Sequence, residues 1–382
     1  MTADTKTLAE WAVHERRYLH QYPELSGQEY QTAAHIRSRL QEWQLELLTC
    51  PAPSVVGLLR GTDGKKTIAL RADIDALPVN EEGDKPYLSK HPGIAHVCGH
   101  DGHTAILLAA AKWLAEHRAE VAPNVLFLFQ SSEEILPSGA QALVRHGVLE
   151  QVDAVFGLHL WKPLEKGKIG ISNGAMMASS DDVRIVITGR GRHGSMPHET
   201  IDPIYVAGQV IAAVQGIVSR RINPVEPAVI SICRLEAGTT YNIIPNQAVL
   251  YGTLRAQSEQ TRQLLARELK QTVEALCAAW GANGEVVVDW GTPPVVNDER
   301  MSRYAAEVAV RQFGRESVAY VQPVMGGEDF SYYLQEKPGA FLFVGMGGEN
   351  SKYPHHHPRF DLDEEAIPVG IELFVQLVKH FS

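Results

Sequence analysis

The sequence predicts an α/β fold with a mostly parallel sheet, interrupted by a second, α+β body. Three observations carry this: short apolar runs alternate with helical stretches, polar residues follow the ends of those runs, and the middle of the chain changes rhythm. Two helical patterns come first, Leu8 to His20 and Tyr30 to Trp43, separated by Pro23 and Ser26-Gly27. Strand-like runs follow at Ser54 to Leu59 and Thr67 to Arg71, then a helix over Thr104 to His117 and a buried-type strand over Val125 to Gln130. A further run, Ala154 to Leu158, delivers His159, as Val125 to Gln130 delivers Glu133-Glu134 and Thr67 to Arg71 delivers Asp73. Open α/β sheets place their ligand crevices at such strand ends. From about Met177 the order becomes strand (Asp182 to Thr188), helix (Pro203 to Ser219), strands (Ala228 to Leu235, Ala248 to Arg255), helix (Glu259 to Trp280) and strand (Gly284 to Trp290). That βαββαβ order is ferredoxin-like. A helix over Glu299 to Phe313, a strand over Ala340 to Val344 and a helix over Glu364 to Phe381 return to the first pattern. The expected division is therefore residues 1–176 and 294–382 for one domain, with 177–293 inserted.

With 382 residues, 45% hydrophobic and 21% charged, the chain has material for two cores. Its formal charge of −10 argues against nucleic acid, which is bound by concentrated Lys and Arg. No run approaches the roughly 18 apolar residues of a membrane helix. Met1 to Arg17 mixes acids and bases without the apolar stretch of an export signal, and the four cysteines show no close pairing. The expected home is the cytoplasm.

Chemistry concentrates in Cys98-Gly99-His100-Asp101-Gly102-His103, joined later by Glu133-Glu134, His159 and His355-His356-His357. Soft, borderline and hard ligands from four segments suggest one metal centre assembled by the fold. Cys98 and His100 flank a flexible glycine, so a loop there would aim both at one point. Adjacent carboxylates at a strand end repel unless a cation or shared proton compensates. In a metallohydrolase one carboxylate ligates while the other accepts a proton. Taken singly, each of these residues is as readily a core histidine, a solvated acidic turn or a polar loop; their combination points to metal.

These residues resemble the aminoacylase and hippurate hydrolase branch of the dinuclear-metal amidohydrolases. That branch includes plant indole-acetyl-amino-acid hydrolases and is akin to bacterial carboxypeptidases and acetylornithine deacetylases. The matching motifs, in order, are HQYPELSGQE from His20, RADIDALP from Arg71, HVCGHDGHTA from His96, EE at Glu133, GLHLW from Gly157, HGSMPH from His193, GTLRA from Gly252, GGEDFSYY from Gly326 and HHHPRFDLDEEA from His355. The sequence departs from the commonest pattern at Val97, Arg192 and Ser131-Ser132. The resemblance implies a phosphorylase/hydrolase-like metallopeptidase domain carrying a ferredoxin-like lid and dimerisation domain.

It also implies Cys98, His100, Glu134, His159 and His356 as ligands of one or two divalent ions per subunit, with zinc, manganese, cobalt and nickel all suited to the donor set. His356 is taken from its triplet by its place two residues before Pro358. Asp73 and Asp101 are then expected behind the ligands, orienting imidazoles or holding the cysteine loop. Glu133 is the implied general base and acid, relaying a proton from water whose pKa a divalent cation lowers from about 16 to near 7. His193 resembles the residue that stabilises the oxyanion from the partner subunit's inserted domain. Arg255 and the Gly326-Gly327 turn are candidates for the substrate carboxylate, and Asn242 for a further contact. The expected enzyme is a homodimer, or a higher homo-oligomer, that cleaves the amide bond of N-acyl-L-amino acids. A dipeptidase or carboxypeptidase is the alternative within the same architecture, and a binding protein that has lost turnover is the non-enzyme one.

Overall fold

In the computed structural model, residues 3–381 are described. Helices α1 (Ala3–Gln21) and α2 (Tyr30–Glu42) precede strands β1 (Glu46–Leu48), β2 (Val55–Leu59) and β3 (Thr67–Asp73). Helix α3 (His100–Glu116), β4 (Asn124–Gln130), α4 (Gly139–Arg145), β5 (Ala154–Glu165) and β6 (Ile169–Ile171) follow. The middle of the chain forms β7 (Ser180–Thr188), α5 (Pro203–Arg221), β8 (Ala228–Ala237), β9 (Gln247–Ala256), α6 (Glu259–Ala279) and β10 (Asn283–Thr292). Last come α7 (Glu299–Phe313), β11 (Val318–Tyr320), α8 (Ser331–Glu336), β12 (Gly339–Gly347) and α9 (Ile367–Lys379). The chain separates into two compact units: one runs to Met176 and takes up Asn297–Gln322 and the residues from Asp329 on, and the other is Met177–Val296 with Pro323–Glu328.

The first unit is built on an eight-stranded sheet in the order β1-β2-β4-β3-β5-β12-β6-β11. Its centre is parallel, β4 to β3, β3 to β5 and β5 to β12. Antiparallel pairings add β2 with β1 at one side and join β12 to β6 at the other. The central strands read as apolar runs because both faces are covered. Every residue of β2 is buried, and so are all but the first of β3 and β4. Helix α3 is buried from His100 to Ala111 without a polar face. It packs on α1, α9 and β3, and so sits inside the unit.

In the second unit the sheet order is β8-β9-β7-β10, antiparallel throughout. Chain order β7-α5-β8-β9-α6-β10 makes this the ferredoxin-like arrangement. Val183, Ile185 and Ile187 alternate on β7 and join Val206, Val210, Val214, Leu265 and Leu269 of the helices in its core. Asp202 caps α5 through Ile204 N–H, and Ser258 caps α6 through Thr261 N–H. The segment Pro323–Glu328 belongs here because Met177 bridges Val324 and Ala178 N–H bonds the Gly326 carbonyl. No helix among the described residues is long and apolar enough to cross a membrane.

Candidate metal centre

The metal-fitting side chains belong to the first unit: Cys98, His100, Glu133, Glu134 and His159 lie in or beside its strands and a helix start, and His356 on a loop. From the sequence, Cys98 and His100 are expected together on a loop. Instead the helix begins at His100, with Gly99 before it at φ +106°, a left-handed conformation that a glycine adopts at no steric cost. Cys98 therefore lies just outside the helix and His100 in its first turn. His159 was expected beyond its strand but lies within it, because β5 continues along β12 past Leu160↔Val344. Asp73 is the last residue of β3 rather than a residue after it.

Downstream of β4 the chain turns at Ser132, whose φ is +55°. Glu29 Oε1 accepts the Ser132 N–H at 2.7 Å and the Ser54 hydroxyl accepts the Ser131 N–H at 3.1 Å, fixing the turn that presents Glu133 and Glu134. Gly139 crosses this turn so closely that a Cβ there would stand 1.7 Å from the Ser131 carbonyl oxygen. Gly139→Ala is expected to destabilise the protein by at least about 1–3 kcal/mol, the usual cost of overpacking. Denaturant midpoints check it, and an unchanged midpoint contradicts the contact.

Potential ligand atoms fall within 4.8 Å of one another in overlapping sets: Cys98, His100 and His159; Cys98, Glu134 and His356; and His100, Glu133 and Glu134. The residues offered as ligands on resemblance are thus brought together. Within the histidine triplet the neighbours differ. His355 Nε2–H donates to the Leu160 carbonyl at 3.0 Å, and His357 Nδ1 accepts the Arg359 N–H at 3.0 Å. His356 instead faces Glu134, with Nε2 3.4 Å from Oε1, and its N–H is tied to the Val97 carbonyl at 2.7 Å. Its φ of +66° is strained for a residue with a Cβ, so the loop is held rather than relaxed.

The donor set fits a divalent cation on this geometry. Oε1 of Glu134 is buried with no hydrogen-bond partner among the described residues, and His356 is near it but not aligned to bond. Burial, with the Glu134 carboxylate adding to it, pushes the Cys98 thiol up to about 12, a cost that a bound cation reverses. Burial presses His100 toward neutrality, but Asp73 and Asp75 outweigh it and draw positive charge to the ring. Burial together with His103 and His355 holds His159 well below its ordinary value, neutral and ready to ligate.

Behind these groups, Asp75 stands out and was not singled out in the sequence. His100 Nδ1 lies 3.0 Å from its carbonyl and 3.2 Å from its Oδ1, and its Oδ2 accepts the Glu134 N–H at 3.0 Å. Asp73 Oδ1 bonds His103 Nδ1 at 2.7 Å, while Oδ2 is 3.7 Å from His100 Nε2. Asp101 faces the other way: its Oδ2 meets Arg16 Nε and His20 Nδ1, each at 2.7 Å, tying the helix start to α1. Its contacts therefore anchor the helix rather than orient a ligating imidazole.

His193, Asn242, Arg255, Gly326 and Gly327 all lie in the second unit. His193 is exposed on a two-residue strand paired with Ile243–Ile244, and Gly194 N–H bonds the Asn242 carbonyl. Its Nδ1 accepts the Ser195 N–H at 3.1 Å, which leaves Nε2 to carry the proton in the neutral ring. A Cβ on Gly327 would lie 3.6 Å from Arg255 Nη1, so that arginine and the glycine turn are neighbours.

The profile of peptidase family M20/M25/M40 matches residues 69–380. The chain belongs to this family. The N-acyl-L-amino acid amidohydrolase of Geobacillus stearothermophilus is 44% identical over 339 residues, covering 88% of the M20 chain and 91% of that protein. The N-acetylcysteine deacetylase of Bacillus subtilis (strain 168) is 41% identical over 367 residues, covering 96% and 95%. The crystal structure of the Bacillus subtilis YXEP protein, a dinuclear metal binding peptidase from the M20 family, matches with TM-score 0.87 at 38% identity over 98% of both chains. This M20 protein is a metal-dependent amidohydrolase with the fold of those relatives.

Proposed function

We propose that the chain hydrolyses the amide bond of N-acyl-L-amino acids, with Glu133 as general base and then general acid. The observation that carries this is the clustering of Glu133 with His100 and Glu134, which puts a proton acceptor beside two groups of the metal-fitting set. Two relatives, an N-acyl-L-amino acid amidohydrolase and an N-acetylcysteine deacetylase, support the substrate class.

Cys98, His100, Glu134, His159 and His356 would hold one or two divalent cations, which when bound acidify water near neutral pH and offset charge on the carbonyl oxygen. Glu133 takes the proton of the attacking water and returns it to the leaving amine, so that a C–O bond replaces the C–N bond and one amide and one water become one carboxylic acid and one amine. His193, with its proton on Nε2, supplies a hydrogen-bond donor for the oxyanion from a partner subunit. Arg255 beside Gly327 offers a fork for the substrate carboxylate, and Asn242 a further contact. Asp75, bonded to Nδ1 of His100, orients that ring, and Asp73 Oδ2 stands 3.7 Å from its Nε2.

Exposed apolar residues on the second unit, Ile204, Tyr205 and Trp280, support a homodimer through that unit. Sedimentation at the mass of a single chain would count against it. A thiol ligand must stay reduced, which favours a cytoplasmic location.

The test is hydrolysis of N-acetyl- and N-benzoyl-amino acids beside dipeptides, with and without chelator. Turnover of the acyl amino acids that chelator abolishes and added zinc or manganese restores is the expected outcome. A metal-loaded protein that cleaves dipeptides faster would overturn the substrate class.

A further inference from the structure

The backbone of Leu160 connects three histidines, only one of which belongs to the proposed ligand set. Strands β3 and β5 pair through Arg71↔Gly157. Further along β5, the N–H and C=O of Leu160 turn to side chains for partners, and both are fully buried, so bonds must be found for them. Its N–H donates to His103 Nε2 at 2.9 Å. Its carbonyl lies 2.9 Å from His159 Nδ1 and 3.0 Å from His355 Nε2.

The proton positions on all three rings are forced by this arrangement. A carbonyl only accepts, so His159 must carry its proton on Nδ1 and His355 on Nε2. An N–H only donates, so His103 must leave Nε2 bare and carry its proton on Nδ1, where the Asp73 carboxylate receives it at 2.7 Å. His159 Nε2 is then the bare nitrogen, 3.5 Å from Cys98 Sγ. His103 has both nitrogens engaged and is only 1% exposed, so it is not free to ligate although it stands among the metal-fitting residues. Its ring lies 4.6 Å from that of His159, nearly edge to face.

We propose that His103 is a positioning residue: clamped by Asp73, it holds the Leu160 backbone where the carbonyl fixes His159 with Nε2 bare and turned toward Cys98. The inference rests on the reading of His159 as a ligand. It adds that a neighbour one helical turn from His100 sets the tautomer of that ligand without touching the metal.

Two substitutions at one position separate the bonds. Asn places its amide near the position of Nδ1, keeping a donor for Asp73 and losing the acceptor for Leu160. Gln places its carbonyl near Nε2, keeping the acceptor. Zinc affinity measured by chelator competition is expected to fall about 10- to 100-fold in His103→Asn, as for other groups that support a ligand, and only a few-fold in His103→Gln. Denaturant midpoints of both metal-free variants are measured alongside; affinity losses that merely track lost stability would overturn the proposal, as would wild-type affinity in His103→Asn. The second readout needs no variant and no metal. In nitrogen-15 spectra of metal-free wild type with labelled histidine, His159 is expected as the tautomer protonated on Nδ1, and a proton on Nε2 overturns the proposal even where both variants fail to fold. Unchanged zinc affinity in His159→Ala would overturn the ligand reading itself and this inference with it, and is thereby distinguished from a failure confined to His103.

Discussion

Replacing Glu133 with Gln is expected to lower kcat on N-acyl amino acids by about 10²- to 10⁴-fold, or roughly 3–5 kcal/mol of barrier, while metal content stays at the wild-type level. Gln keeps the size and hydrogen-bonding reach of the side chain but cannot accept a proton from water. The neighbouring position should behave in the opposite way. Glu134 carries the buried oxygen without a hydrogen bond, facing His356 and in one set with Cys98. Glu134→Gln should therefore lose metal first and activity as a consequence, and excess metal should restore part of it. The contrast between adjacent carboxylates is the informative result. Inductively coupled plasma analysis of each variant beside its kcat decides it, and a Glu133→Gln protein that is fully loaded and within threefold of wild-type kcat would remove Glu133 from the mechanism.

Much of the fold was legible because its elements are long and patterned. The expected helix Glu299 to Phe313 matches to the residue, and the expected βαββαβ order of the middle segment matches strands that alternate buried and exposed residues, such as β7. Three-residue strands such as Ile169–Ile171 and Val318–Tyr320 carry too few residues for any period to show. The end of β5 lies beyond the apolar run Ala154 to Leu158 because the polar His159 interrupts that run, while pairing with β12 carries the strand on to Glu165. At the site, residue types announced a metal centre, and resemblance sorted the ligands. What the sequence left hidden was the layer behind them. Asp75, His103 and His355 are ordinary members of their motifs until the fold shows which nitrogen or oxygen each one meets. Asp101, adjacent to a proposed ligand, turned out to hold α1 through Arg16 and His20. Adjacency in sequence does not say which way a side chain on a helix start will face.

The largest stability effect is expected at Arg71, which resemblance marked only as the first letter of a motif. Its guanidinium is completely buried and bonds Asp73 Oδ2 at 2.8 Å, Asp329 Oδ1 at 2.7 Å and Gln130 Oε1 at 2.8 Å. The Asp329 carboxylate is further bonded by Gln130 Nε2 at 2.7 Å and by the Ala140 N–H at 3.2 Å, and the Tyr333 hydroxyl donates to Gln130 Oε1 at 2.9 Å. Burial pushes the Asp73 carboxyl up, but His100, His103 and Arg71 together hold it well below the usual carboxylate range. Arg71→Met leaves two buried carboxylates without their cation, a change that costs about 3–5 kcal/mol when one side of a buried pair is deleted. Arg71→Lys should recover little, because a point charge on a flexible stem cannot reach both carboxylates and the Gln130 oxygen at once. Urea unfolding of the metal-free protein measures this without interference from bound cation. A loss below about 1 kcal/mol would mean that the carboxylates find other partners or take up protons when Arg71 goes. The same lesion also reaches the metal, because Asp73 is the carboxylate that holds His103. Arg71→Met should therefore weaken zinc binding beyond what its lost stability alone accounts for.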